Sequence, residues 1–218
     1  LSSRLTLAHC IHARPDELEM IAEAGATIVT NPGSNLHLRS GIARIAEAHA
    51  RGCRIAVGMD GLAFDEDDDI VREIRLAYAL HAGLGFQRTF ERSAFLMESI
   101  ANGRASIGAP GTGRLAPGEA ADLLLLDHDR LDRDAIMEID PIDLFFARGT
   151  AAHIREVIVA GRTIVRDGQV VGVDIDAVES ELRDLYGRQR GCFSALENAW
   201  PRIEPAVRHW FGSHGSCC

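Results

Sequence analysis

Apolar and polar positions alternate along the first eighty residues in a repeating order of strand and helix. The run Leu5-Thr6-Leu7-Ala8 stops at His9, and residues 4–9 read as a strand. Pro15–Ala24 reads as a helix, with Pro15 in its first turn and Gly25 just past its end. Residues 26–30 form a β-branched strand, followed by a polar loop, Asn31-Pro32-Gly33-Ser34-Asn35. Residues 40–51 predict a helix stopped by Gly52, and residues 53–58 a third strand that runs into Met59-Asp60-Gly61. Residues 69–82 predict a helix with an acidic start, which suits the helix dipole. Three β-then-α units in succession imply a parallel sheet with crossover helices.

Further along the chain the pattern changes. Residues 93–107 predict a helix, residues 108–113 a loop, and residues 121–126 a buried strand. Asp140-Pro141 opens a short helix. Residues 154–173 predict three short strands, with turns at Ala160-Gly161 and Asp167-Gly168; Asp-Gly is the stronger hairpin signal. Residues 177–211 are mostly helical, with a break near Gly191.

Two strand ends carry chemistry. In parallel α/β barrels the reactive groups sit at the C-terminal ends of the strands. His9 and Asp60 both occupy such ends, and neighbouring strands would bring them to one mouth. An Asp there can bind a metal through one oxygen and accept a proton through the other; a His can orient water or polarise a substrate. The competing reading is a buried, hydrogen-bonded His and a helix-capping Asp.

Composition narrows the class. The 218 residues suffice for one or two domains, and 46% are hydrophobic, which marks a globular chain. A net charge of −9 argues against a nucleic-acid partner. No apolar stretch approaches a membrane span; Leu123-Leu124-Leu125-Leu126 is strand-sized and flanked by Asp122 and Asp127. The chain has no lysine, which excludes Schiff-base and P-loop chemistry in this segment. Five irregularly spaced cysteines argue against a disulfide framework and for a reducing, cytoplasmic setting. The chain begins at Leu1 with strand-like sequence a few residues on, so a cut N-terminus is expected.

Ordered motifs resemble the amidohydrolase superfamily, in its deaminase and triazine-chlorohydrolase branch. They are His9-Cys10, then Asn31-Pro32-Gly33-Ser34-Asn35 with Leu38 and Ser40-Gly41-Ile42-Ala43, then Val57-Gly58-Met59-Asp60-Gly61. Ala101-Asn102-Gly103-Arg104-Ala105, Ile107-Gly108 and the segment from Gly113 to Leu123 continue the series, and Val157–Gly168 is similar to the family's closing hairpin. The resemblance covers about four-fifths of the chain.

The resemblance implies an α/β fold: strands six to eight, with helices, of a metal-dependent (β/α)8 barrel, plus part of a small β-sandwich domain. Residues 1–108 would belong to the barrel, residues 109–173 to the composite β domain with an interposed helical segment, and residues 174–218 to a C-terminal helical segment. Asp60 would be metal ligand and proton shuttle. His9 would contact water or substrate, or bind a second metal. Asn31, Ser34 and Asn35 would shape the substrate-binding loop, although pure turn chemistry explains them equally. The implied cofactor is a divalent metal, Zn²⁺ before Fe²⁺ or Mn²⁺. The implied reaction is hydrolysis of a non-peptide C–N bond, or displacement of chloride, on a cyclic amidine or heterocycle by metal-activated water. The implied partners are a small heterocyclic substrate and the missing N-terminal part of the same enzyme, with a homo-oligomer allowed.

The chain departs from the family pattern in two ways. Met59 stands where a Thr usually precedes the Asp. The paired histidines of strand one are absent, as are the metal-binding His and catalytic Glu associated with strand five; no His-x-His occurs. The segment alone is therefore expected to be inactive. A non-catalytic homologue, serving as a binding or assembly module, remains the alternative. Sequence upstream of Leu1 discriminates: His-x-His after a strand, and His followed three residues on by Glu, favour the enzyme. The acidic run Asp65–Asp69 reads as a solvated, helix-capping loop, and the terminal His209, His214, Cys217 and Cys218 fit no standard zinc spacing. Arg39 lies near the expected mouth and could meet an anionic group.

Overall fold

The computed structural model describes residues 1–61, 67–109 and 111–214. Strands β1 (Thr6–Ala8), β2 (Thr27–Thr30) and β3 (Arg54–Val57) form a sheet in that order. Pairing is parallel throughout, with Thr6 opposite Thr27 and Thr27 opposite Arg54. The three C-terminal ends consequently lie side by side. His9 N–H donates to the Val29 carbonyl at 2.8 Å, and Gly58 N–H to that of Thr30 at 2.9 Å.

Helix α1 (Pro15–Ala24) links β1 to β2, with the boundaries the sequence predicts. Pro15 fits the first turn because its missing N–H would have had no intrahelical partner there. Gly25, at φ 63°, takes the left-handed stop that a side chain would oppose. Leu18 and Ile21 of α1 pack into a core with Ile28, Ile45, Ile55, Val71 and Phe95. Each large apolar side chain buried in this way contributes roughly 1.5–3 kcal/mol.

The segment from Asn31 differs from the expected loop. Pro32–His37 forms a short helix, α2, with Pro32 in its first turn. Asn followed by Pro is a helix-start signal as well as a turn signal, and here the helix prevails. The next helix, α3 (Ile45–Ala50), is shorter than predicted. Gly41, at φ 120°, holds backbone that a helix cannot use.

Asp69 caps α4 (Ile70–His81), accepting from the N–H groups of Val71 and Arg72. Its other oxygen accepts from Ala151 N–H at 2.8 Å, so one carboxylate fastens two segments. Residues 65 and 66 of the acidic run lie outside the described residues. Helix α5 (Arg92–Ser106) packs on β3, and Asn102 Nδ2 donates to the Ile55 carbonyl at 2.9 Å.

A second, antiparallel sheet has the order β4 (Leu123–Leu126), β5 (Ile154–Val159), β6 (Arg162–Arg166), β7 (Gln169–Val170). Ala160-Gly161 and Asp167-Gly168 both have positive φ at their two positions, as type I′ hairpin turns require. The sequence predicts a buried β4, yet Leu124 and Leu125 are 48% and 39% exposed. The strand lies at the sheet edge, and an apolar run alone does not tell an edge from a centre. Between β4 and β5 lie α6 (His128–Leu131) and α7 (Pro141–Arg148), capped by Asp127 and Asp140. Helix α6 carries too few residues to show a helical period.

The chain divides into two compact units, residues 1–169 and residues 170–218. The second contains α8 (Ile175–Gln189), a 3-10 segment at Arg190–Phe193 and α9 (Ser194–His214), matching the expected break near Gly191. None of its described residues is buried. No helix among the described residues is long and apolar enough to cross a membrane.

Candidate active site

The parallel register sets His9, Asn31 and Asp60 at neighbouring strand ends. His9 Nε2 lies 3.5 Å from Asp60 Oδ2. Both residues hold left-handed backbone, at φ 64° and 70°. Such conformations cost energy in non-glycine residues and concentrate at functional sites. Asp tolerates this region better than His does, because its short side chain can bond its own backbone.

The Asn31–Asn35 segment grips this pair. Ser34 Oγ donates to Asp60 Oδ2 at 2.8 Å. His9 Nδ1 lies 2.8 Å from Asn35 Oδ1 and 3.4 Å from Asn31 Nδ2. The shorter contact suits an Nδ1 proton donated to Asn35 Oδ1; in the neutral ring the Nε2 lone pair then faces the carboxylate. Asn31, Ser34 and Asn35 are 4%, 0% and 3% exposed. Buried polar groups hold their geometry because a lost partner costs the full desolvation penalty. The five residues singled out in the sequence thus come together in one cluster, with Ser34 bonded to Asp60, Asn31 and Asn35 against His9, and His9 beside Asp60.

A lone pair and a carboxylate oxygen repel unless a proton or cation stands between them. Two ligand atoms, each about 2.1 Å from a shared tetrahedral ion, lie about 3.4 Å apart. The observed 3.5 Å separation and the imidazole–carboxylate donor pair fit a divalent metal. Two donors are fewer than the roughly three protein ligands of a catalytic zinc site. Among the described residues, no group of three or more His, Cys, Asp or Glu could hold one.

A cleft of about 530 Å³ opens beside the pair, lined by His9, Cys10, Ile11, His12, Leu38 and Asp60. Burial pushes the Cys10 thiol up, with Cys53 and Glu17 adding to the effect, so Cys10 is a neutral wall and not a thiolate nucleophile. Arg39 is exposed, at φ 57°. Cys217 and Cys218 lie outside the described residues, as does the side chain of His214.

Two features escape the strand-end reading. Gly58 has no room for a side chain, since a Cβ would lie 2.6 Å from Asn31 Oδ1. Glu73 of α4 is fully buried, and its Oε2 accepts from Gly33 N–H at 2.7 Å. The signal for Glu73 is a carboxylate three residues after Ile70 and four before Ala77, inside an apolar stripe.

Comparison with known proteins agrees with this architecture. A model of the amidohydrolase family matches residues 1–164. A 5-methylthioadenosine/S-adenosylhomocysteine deaminase of Nitratidesulfovibrio vulgaris is 30% identical over 85% of the chain and 42% of its own length. An adenosine deaminase structure from Xanthomonas campestris, with bound zinc, superposes with TM-score 0.75 at 23% identity, over 87% of this chain and 43% of that one. Atrazine chlorohydrolase from Arthrobacter aurescens, complexed with zinc, gives 0.73 at 24% identity, over 84% and 41%. The chain therefore spans about two-fifths of the length of these relatives. The family match over three-quarters of the sequence, and the parallel sheet with its strand-end cluster, place this chain in the amidohydrolase family.

Proposed function

We propose that the protein containing this chain is a metal-dependent hydrolase that displaces an amino group or chloride from a ring carbon of a heterocycle. The observation that carries the reading is the His9–Asp60 pair at adjacent strand ends, fixed by Asn35 and Ser34. In this reading β1, β2 and β3 are strands six, seven and eight of a (β/α)8 barrel. Residues 1–108 belong to that barrel, residues 109–173 to the small β domain, and residues 174–218 to a terminal helical segment.

Asp60 and His9 would hold a divalent cation, Zn²⁺ before Fe²⁺ or Mn²⁺, with the remaining ligands supplied from outside this chain. When bound, the ion supplies a Lewis acid that activates water and polarises the ring. Ser34 occupies Asp60 Oδ2, which leaves Oδ1 to take up the proton of the attacking water and pass it to the leaving group. Asn35 fixes the His9 ring so that Nε2 faces the reacting atoms. Asn31 packs against that ring, and Asn35 with Leu38 lines the substrate side of the cleft. The names of the relatives favour a purine nucleoside as the heterocycle, with ammonia as the product.

Three parallel strands cannot close a barrel, so residues 1–218 alone should hydrolyse nothing. The test uses the full-length protein, as wild type and Asp60→Asn. Metal content is measured together with ammonia release from adenosine, 5-methylthioadenosine and S-adenosylhomocysteine, and chloride release from atrazine. The variant should lose metal, turnover or both. Unchanged metal and turnover would remove Asp60 from the site, and an inactive, metal-free wild type would sink the reading.

A further inference from the structure

The five-residue cluster has a support on its far side. Ser34 and Asn35, which contact Asp60 and His9, both follow Gly33 in α2. The Gly33 N–H donates to Glu73 Oε2 at 2.7 Å, and neither residue lines the cleft. Glu73 sits on α4, 0% exposed, and its Oε1 accepts from Arg72 Nη2 at 3.3 Å. Contact between the two residues is close, since a Cβ on Gly33 would lie 2.5 Å from Glu73 Oε1. A fully buried carboxylate is costly and persists only where strong donors hold it. Here the carboxylate is tied to the backbone of the one helix that carries Ser34 and Asn35. A charged acceptor on a backbone N–H is about twice as strong as a neutral one.

We infer that Glu73 is a positioning residue: through the Gly33 amide it fixes α2, and α2 fixes Asp60 and His9. The inference rests on the hydrolase reading for its effect on turnover, but not for its effect on α2. Displacement of a supporting element by an ångström can cost a reaction up to about a hundredfold. Because Glu73 is buried and does not line the cleft, it should move kcat and leave KM nearly unchanged.

The experiment uses the full-length protein, as wild type, Glu73→Ala, Glu73→Gln and Gly33→Ala. Turnover of 5-methylthioadenosine and backbone hydrogen exchange of the segment 31–37 are both measured. Glu73→Ala should lower kcat by about tenfold or more with KM within about threefold, and should speed exchange in 31–37 selectively. Glu73→Gln keeps an acceptor oxygen and should restore most of both. In a Ser34→Ala/Asn35→Ala background, Glu73→Ala should lower kcat by no more than about twofold further, because its route to the site is already cut. If Glu73→Ala does not fold, Gly33→Ala carries the test, since its added methyl displaces the carboxylate. Wild-type kcat and wild-type exchange in 31–37, in a folded Glu73→Ala or Gly33→Ala protein, would overturn the inference. So would losses that multiply fully in the double-mutant background. Wild type without turnover would count against the hydrolase reading alone, and the exchange measurement would still decide the role of Glu73.

Discussion

Gly58 and Asn31 are packed so closely that a Cβ on Gly58 would come within 2.6 Å of Asn31 Oδ1 and 2.8 Å of Val29 Cγ1. Asn31 directly follows strand β2 and Gly58 directly follows strand β3, so the contact sets how near the two strand ends approach. Gly58 is not among the glycines with positive φ, so the position excludes alanine by volume and not by backbone conformation. Gly58→Ala in the full-length protein should cost about 1–3 kcal/mol in overpacking. It should also lower turnover, because Asn31 packs against His9. Urea unfolding and steady-state kinetics check both effects; full activity with unchanged stability would mean that Asn31 has room to retreat.

His81 gives the fold a pH dependence. It is 7% exposed on α4, and burial pushes its imidazole below the usual histidine range. The unfolded chain then binds the proton more readily than the folded one, so stability is complete above the unfolded value of about 6.5. It falls as pH drops from there through the lower, folded value. Wild type should lose urea resistance between pH 7.5 and pH 5.5, and His81→Gln should lose less over the same interval. Equal losses would show that other groups carry the pH dependence.

Arg75 closes the end of α7. Its guanidinium donates to the carbonyls of Phe146, Gly149 and Ala147, at 2.9, 2.7 and 2.6 Å. The last carbonyls of a helix lack intrahelical donors, and a guanidinium supplies several from one side chain. Arg75→Ala should destabilise the protein by about 1–3 kcal/mol, and Arg75→Lys should recover only part of that. Thermal unfolding of both variants provides the check, and a full rescue by lysine would assign the effect to charge and not to geometry.

Much of this fold was legible because its signals are local. Pro15 and Gly25 mark both ends of α1, and Asp-Gly marks a hairpin, without reference to the rest of the chain. The His9–Asp60 pairing was legible through strand order: three consecutive β–α units place their strand ends together. The segment from Asn31 reads as a loop in the sequence and folds as a helix, because Asn, Pro, Gly and Ser serve turns and helix starts alike; contacts to Asp60, His9 and Glu73 decide between them. The exposure of Leu124 and Leu125 depends on which strands flank β4, and no local pattern carries that. The support from Glu73 joins residues forty positions apart through a backbone N–H, a group that has no signature in sequence.

The left-handed backbone at His9 and Asp60 restricts which amino acids can stand there at all. An ordinary L-residue in this conformation costs roughly 1–2 kcal/mol, while Asn and Gly adopt it with little loss. Alanine at position 60 would remove the carboxylate and strain the chain together, and its effects could not be separated. Asparagine keeps the shape and the backbone, removes the charge and turns one acceptor oxygen into an NH2 donor. The turn geometry thus acts as a filter on the amino-acid alphabet: at these two positions the backbone favours Asn, Asp, His and Gly over β-branched and bulky residues, independently of the chemistry they carry.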